Sequence, residues 1–200
     1  MCKSITTIHA NLHEHDLELI KDLPKLEILS ILTTIQDINY FKAFQQMNFS
    51  NLKYLFLNKV NTKTEFDRVF EELSNIYFPS LKRLTVENHF DKEDKVSVVS
   101  VTEQTLEKLI KKIPSLKSLN IGASIDFVSE ISFQFMFKML KDEDVVIMVG
   151  LAEEDEMERY IKNIKHFLKK KGSIFYKKWK SLRRELCEQW WMSEYAKDPH

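Results

Sequence analysis

The sequence predicts an α/β protein of stacked strand–helix units, with a parallel sheet on one side, helices on the other and a helical cap after residue 151. Three observations carry that prediction. One nine-residue phrase occurs four times, amphipathic helical stripes lie between its copies, and the last fifty residues change pattern. The copies are Leu23–Ile31, Phe49–Leu57, Phe78–Val86 and Ile113–Ile121. Each reads apolar, Pro or Ser, any residue, Leu, two residues, Leu, one residue, aliphatic.

Pro24, Pro79 and Pro114 stand at the same phase, two residues before the first Leu. Proline cannot continue a helix and biases its predecessor toward extended backbone, so this position reads as the joint between an incoming helix and an outgoing strand. Weaker copies flank the set at Ile5–Ala10 and Val146–Leu151. Taking Ile5, Leu26, Leu52, Leu81, Leu116 and Val146 as first anchors, the units are spaced by 21, 26, 29, 35 and 30 residues. Between the strands, Phe66, Val69, Phe70 and Leu73 form one apolar helical stripe, and Leu106, Leu109, Ile110 and Ile113 form another. Thr62-Lys63-Thr64-Glu65 and Ser100-Val101-Thr102-Glu103 have capping-box spacing, which marks the starts of these two helices. Asp16–Lys21, Asp37–Met47 and Asp126–Leu140 are less cleanly patterned helices, and Asp91–Lys95 reads as an exposed charged loop.

The four-fold L-x-x-L-x-L resembles the leucine-rich repeat over about residues 1–151. More narrowly it is similar to the irregular repeats found C-terminal to F-boxes and in ribonuclease-inhibitor-like proteins. The family's usual Asn or Cys after the third anchor is replaced here by Thr34, Val60, His89 and Ser124, which breaks a regular asparagine ladder. The resemblance implies a solenoid of five to six irregular repeats with a concave parallel sheet and convex helices. It also implies a protein–protein interaction scaffold, with substrate recognition or an adaptor role in ubiquitin ligation as its specific form. Leu23–Leu32 resembles the start of an F-box, but it shares the phase of three other segments and no continuation follows Thr33. The repeat reading takes precedence.

In the resembled fold, strand residues between the anchors point out from the inner sheet, which selects Ile28, Leu32, Tyr54, Phe56, Arg83 and Glu87 as the partner-binding surface. Tyr and Arg dominate interface hot spots, and exposed apolar patches mark contact surfaces. The partner is a protein whose identity the residues do not encode.

Residues 152–200 read as a C-terminal helical cap or appendage, with two helices over 152–195, the first capping the array and the second either packing on it or projecting as a docking element. Met157, Tyr160, Ile161, Ile164 and Leu168 share one face, Gly172 offers a C-cap, and Phe175, Trp179, Leu182, Leu186 and Trp190 share a second face. A stacked array needs its open end covered, which gives these helices a role.

Thirty Lys+Arg balance thirty Asp+Glu, so the formal net charge is zero and a wholesale electrostatic binder is excluded. The balance hides segregation. Asp142 to Glu158 holds eight acids and no base, whereas Tyr160 to Arg184 holds ten bases and no acid. Lys169, Lys170, Lys171, Lys177, Lys178, Arg183 and Arg184, interleaved with Phe175, Tyr176 and Trp179, form the alternative functional surface, one for nucleic acid.

Three glycines exclude a glycine-rich phosphate cradle, and no catalytic motif or acid/base pair is recognisable, so the chain reads as non-enzymatic and cofactor-free. His9, His13, His15 and Asp16 have the residue types of a metal site, but strand and turn placement gives no assured convergence and no metal is expected. Cys2 and Cys187 form no C-x-x-C pair, the N-terminus lacks a signal-peptide core, and the longest apolar stretch, Val145–Ala152, is too short to cross a bilayer. The expectation is a cytoplasmic or nuclear protein with no membrane partner.

Overall fold

The computed structural model describes residues 4–35, 37–60, 66–88, 101–122, 132–150 and 154–181. Its elements run β1 (Thr7–Ala10), α1 (Glu14–Ile20), β2 (Ile28–Ile31), α2 (Tyr40–Phe44), β3 (Tyr54–Val60), α3 (Phe66–Ser74), β4 (Arg83–Asn88), α4 (Glu103–Lys112), β5 (Ser118–Gly122), α5 (Phe133–Asp142), β6 (Val146–Gly150) and α6 (Glu154–Lys171). A further helix, α7, covers residues 173–181. Among the described residues the six strands form one sheet, all parallel and in sequence order. Every crossover therefore advances one strand in the same direction, and the right-handed rule places each intervening helix on the same face.

The proline phase has a physical meaning in the turns that start the strands. Leu26 N donates to Leu23 O at 3.3 Å, Leu52 N to Phe49 O at 3.1 Å and Leu116 N to Ile113 O at 3.0 Å. These are four-residue turns whose second position is Pro24, Ser50 or Pro114, the place where proline's fixed φ suits the turn. Side chains at the third position then link the units. Asn51 Nδ2 donates to Pro24 O at 2.6 Å, Ser80 Oγ to Ser50 O at 2.7 Å and Ser115 Oγ to Pro79 O at 2.7 Å. One turn thus satisfies a carbonyl of the turn before it, so the ladder missing after the third anchor exists at the opposite corner.

The register aligns equivalent positions. Leu29, Leu55, Leu84, Leu119 and Ile147 pair in one row, and Ile31, Leu57, Val86, Ile121 and Val149 in a second; all are buried against the helices. Behind the turns the rings of Phe44, Phe49 and Phe78 pack in a row, tilted to one another, with centroids 5.4 and 5.0 Å apart. The helices contribute Leu17, Phe41, Phe70, Leu109 and Met139 to the same continuous core. The two edges differ. On β1 the core-facing Ile8 and Ala10 are only half-buried, whereas on β6 Ile147 and Val149 are sealed.

That seal comes from the C-terminal helices. Tyr160, Ile164 and Leu168 of α6 join the core, and Gly172, at φ 131°, ends the helix in a conformation that L side chains rarely adopt. The chain then reverses, and Trp179 of α7 is buried beside Val146 and Ile147. A cavity of about 20 Å³ remains among Met136, Leu140, Ile147, Ile164 and Trp179.

Several expectations need correction. The weak copy at the end is out of phase by two residues: Leu119 pairs with Ile147, so Asp144, and not Val146, stands where Leu116 stands in the unit before. Val146 faces the open side of the sheet instead. Asp144 has φ 60° and is held by Lys117 Nζ at 3.0 Å and by Lys178. The cap of α4 is Thr102, whose hydroxyl accepts from Thr105 N at 3.1 Å, and not Ser100. Ser100 lies outside the described residues, and the Glu103 carboxylate accepts from Ser132 N and Ser132 Oγ and so ties α4 to α5. The helix expected over Asp37–Met47 is shorter, Tyr40–Phe44, with Asp37 Oδ1 accepting from Asn39 N ahead of it. Thr62-Lys63-Thr64-Glu65, Asp91–Lys95 and 123–131 lie outside the described residues, as do 182–200.

Candidate functional site

The sheet face away from the helices is built by the residues between the core anchors. Two rows cross it. Thr7, Ile28, Tyr54, Arg83, Ser118 and Val146 are aligned in one, and His9, Ser30, Phe56, Thr85, Asn120 and Met148 in the other. Parallel pairing fixes neighbouring strands about 4.8 Å apart, so each row is a contiguous line of side chains.

Four of the six expected surface residues, Ile28, Tyr54, Phe56 and Arg83, come together in these rows. Ile28, Tyr54 and Phe56 are half-buried. Arg83 is only 7% exposed, with its guanidinium carbon 5.8 Å from the centre of the Tyr54 ring, a cation–π contact across adjacent strands. Glu87 continues the face toward the strand ends opposite Gly122. A Cβ on Gly122 would stand 3.0 Å from Glu87 Cγ, so the glycine leaves the glutamate its room. Leu32 lies one residue beyond β2, half-buried, its N–H donating to Ala10 O at 3.0 Å. It therefore borders the rows and does not belong to them.

The face is graded. Its β2–β3 side presents Ile28, Tyr54 and Phe56, and its centre is polar, with Thr85 2% and Ser118 4% exposed. Asn58 Nδ2 donates to Ser30 Oγ at 3.1 Å, while the Oγ of Ser118, Oγ1 of Thr33 and Nε2 of His9 are buried without a hydrogen-bond partner. Sequence reasoning found the apolar beginning and the polar middle but missed the apolar close at Val146 and Met148; the phase error at Asp144 made Val146 a buried anchor, although a shift of two residues leaves Met148 on the open face.

The basic segment lies on α6 and α7. Lys169, Lys170, Lys171 and Lys177 are exposed. Lys178 is half-buried, donating to Leu140 O at 3.3 Å and pairing with Asp144. Burial, followed by the Lys117 ammonium, lowers its pKa from the ordinary lysine value. Arg183 and Arg184 lie outside the described residues.

The histidines are split. His9 sits on β1, whereas His13 and His15 stack at 5.8 Å beside α1, where Asp16 Oδ2 accepts from His13 N at 2.8 Å. Among the described residues no group of three His, Cys, Asp or Glu side chains could hold a metal ion. None of the described helices is long and apolar enough to cross a membrane.

Compared with protein-family models, with curated proteins and with solved structures, the chain has no match.

Proposed function

We propose that the chain is a leucine-rich-repeat solenoid of irregular repeats and that its open sheet face, concave in such an arrangement, binds a protein partner. The observation that carries this reading is the shared register, which lines up Ile28, Tyr54 and Arg83, and beside them Ser30, Phe56 and Thr85, from successive copies of one phrase. Repeat proteins use such rows because each unit adds one column of side chains to an extended recognition surface. Within the rows the reachable anchors are Ile28, Tyr54 and Phe56, large and rigid enough to fill pockets on a partner. Arg83 braces Tyr54 from the next strand.

Replacing Tyr54 and Phe56 together by Glu puts two carboxylates on this face while leaving the core rows untouched. The expected outcome is loss of the partners captured by the unmodified chain, with unchanged circular dichroism; retained capture rejects the face. The narrower role in ubiquitin ligation, implied by the resemblance, requires ubiquitin-ligase subunits in the captured set. Their absence removes that role and leaves the surface proposal standing.

A further inference from the structure

The turn between α6 and α7 combines features that neither helix has alone. Residues 160–181 hold eight lysines and no acid. With Lys178 paired to Asp144, the turn itself carries Lys169, Lys170 and Lys171, and Lys177 follows within one helical turn of Ile174. Ile174 is 76% exposed. It shares the outer face of α7 with Lys177 at i+3, while Trp179 anchors the inner face at 3% exposure.

Phe175, next to Ile174 in the chain, belongs to a cluster of partly exposed aromatic rings. Phe137, Phe167 and Phe175 are half-buried, with Phe137 centred 5.0 Å from Phe175 and 6.2 Å from Phe167. The Lys171 ammonium stands 5.3 Å from the centre of Phe137 and 5.4 Å from that of Phe167, and Lys169 stands 5.4 Å from that of Tyr176. The lysine stems therefore run along apolar surface and deliver their charges at its rim.

An exposed aliphatic side chain among lysines, next to partly exposed aromatic rings, is complementary to a layer of anionic headgroups. Lysines meet phosphates, the apolar side chain enters the boundary between headgroup and acyl chain, and aromatic rings sit at that depth. A nucleic acid would engage the same lysines but would leave Ile174 in water. We propose that the α6–α7 turn is a peripheral docking surface for an anionic bilayer leaflet, with Ile174 inserting and Lys169, Lys170, Lys171 and Lys177 contacting phosphates. This departs from the expectation of no membrane partner, which rested on the lack of a spanning segment; a peripheral contact needs none.

The test is sedimentation of the full chain with vesicles of phosphatidylcholine alone or mixed with phosphatidylserine. The expected result is partition onto the mixed vesicles only, reversed by raised salt. Changing the four lysines to Gln should weaken partition by a factor on the order of 10² or more, because each lysine near an anionic surface contributes about fivefold. Ile174→Ser should weaken it about tenfold, with circular dichroism unchanged in both variants. Leu19→Ser is the internal control: Leu19 is 79% exposed but lies on α1 with Glu14, Asp16 and Glu18, and its loss should change nothing. Equal partition onto both vesicle types overturns the proposal, and so does indifference to Ile174→Ser. Salt-sensitive binding to a labelled single-stranded RNA without vesicle partition overturns it in favour of nucleic acid.

Discussion

The corner where chains enter the strands and the corner where they leave them are built on different principles. At the entering corner one four-residue turn recurs, Pro or Ser stands second, and Asn51, Ser80 and Ser115 link each turn to the one before. At the leaving corner the next described helix begins at no fixed distance, with three residues between β1 and α1 and eight between β2 and α2. There β3 shifts register between Leu57 and Val60, and Ile35 bridges to Val60 outside the regular strands. Repetition in a chain is thus enforced where backbone groups of successive units must bond to one another, and relaxed where each unit turns alone.

Substitutions at the two corners can break or sharpen this contrast. The largest effect is expected at the entering corner from Phe78→Ala, which removes a fully buried ring packed against Phe49. A loss of about 3–5 kcal/mol is expected in urea unfolding; a loss under about 1 kcal/mol would show that the aromatic row is not structural. Next, Ser80→Ala and Ser115→Ala should each cost about 1 kcal/mol, since each leaves a turn carbonyl without its side-chain donor. If the links cooperate along the array, the double variant will lose more than the two singles combined. At the leaving corner, Asn58→Ala breaks an isolated bond to Ser30 and should cost no more than one such link. A larger cost there would dissolve the contrast.

The smallest expected effect is electrostatic and lies away from both corners. Lys111, and then Lys138, hydrogen-bond to Glu107 and hold its carboxyl below the ordinary value of 4.5. A depressed acid favours the folded state above its unfolded pKa, and that contribution is lost as pH falls through the folded one. Glu107→Gln should therefore flatten the fall in stability below about pH 4.5. Being exposed, the cluster should move the midpoint only slightly. An unchanged acid limb would show that the pairs do not persist in solution.

The strands, their order and their common phase were legible because Leu-x-x-Leu-x-aliphatic records which side chains face the helices. The third turn residue passed as arbitrary, although Asn51, Ser80 and Ser115 all carry a short donor; Lys25 at the same place in the first copy obscured the pattern. The phase of β6 was illegible for another reason. Val145 to Val149 is an unbroken apolar run with no polar residue to mark where the repeat begins, and the anchor that would have set it is the charged Asp144. The α4 cap was misplaced because Ser100 and Thr102 both offer hydroxyls ahead of the helix, and only the backbone geometry selects Thr102. On the open face, pattern gave the directions of Tyr54, Phe56 and Arg83. It could not give the half-burial of Lys178, which depends on a carbonyl of α5 distant in sequence.

Among the described residues, the unequal edges of the sheet make it extensible in one direction. A further copy of the nine-residue phrase and its helix, grafted ahead of β1, would find half-covered Ile8 and Ala10 and a strand edge in the register that five pairings already share. The same graft after β6 would have to displace Trp179, Ile164 and Leu168 from Ile147. For a designer seeking a wider sheet, the described residues offer a socket at the β1 edge and a stopper at the β6 edge.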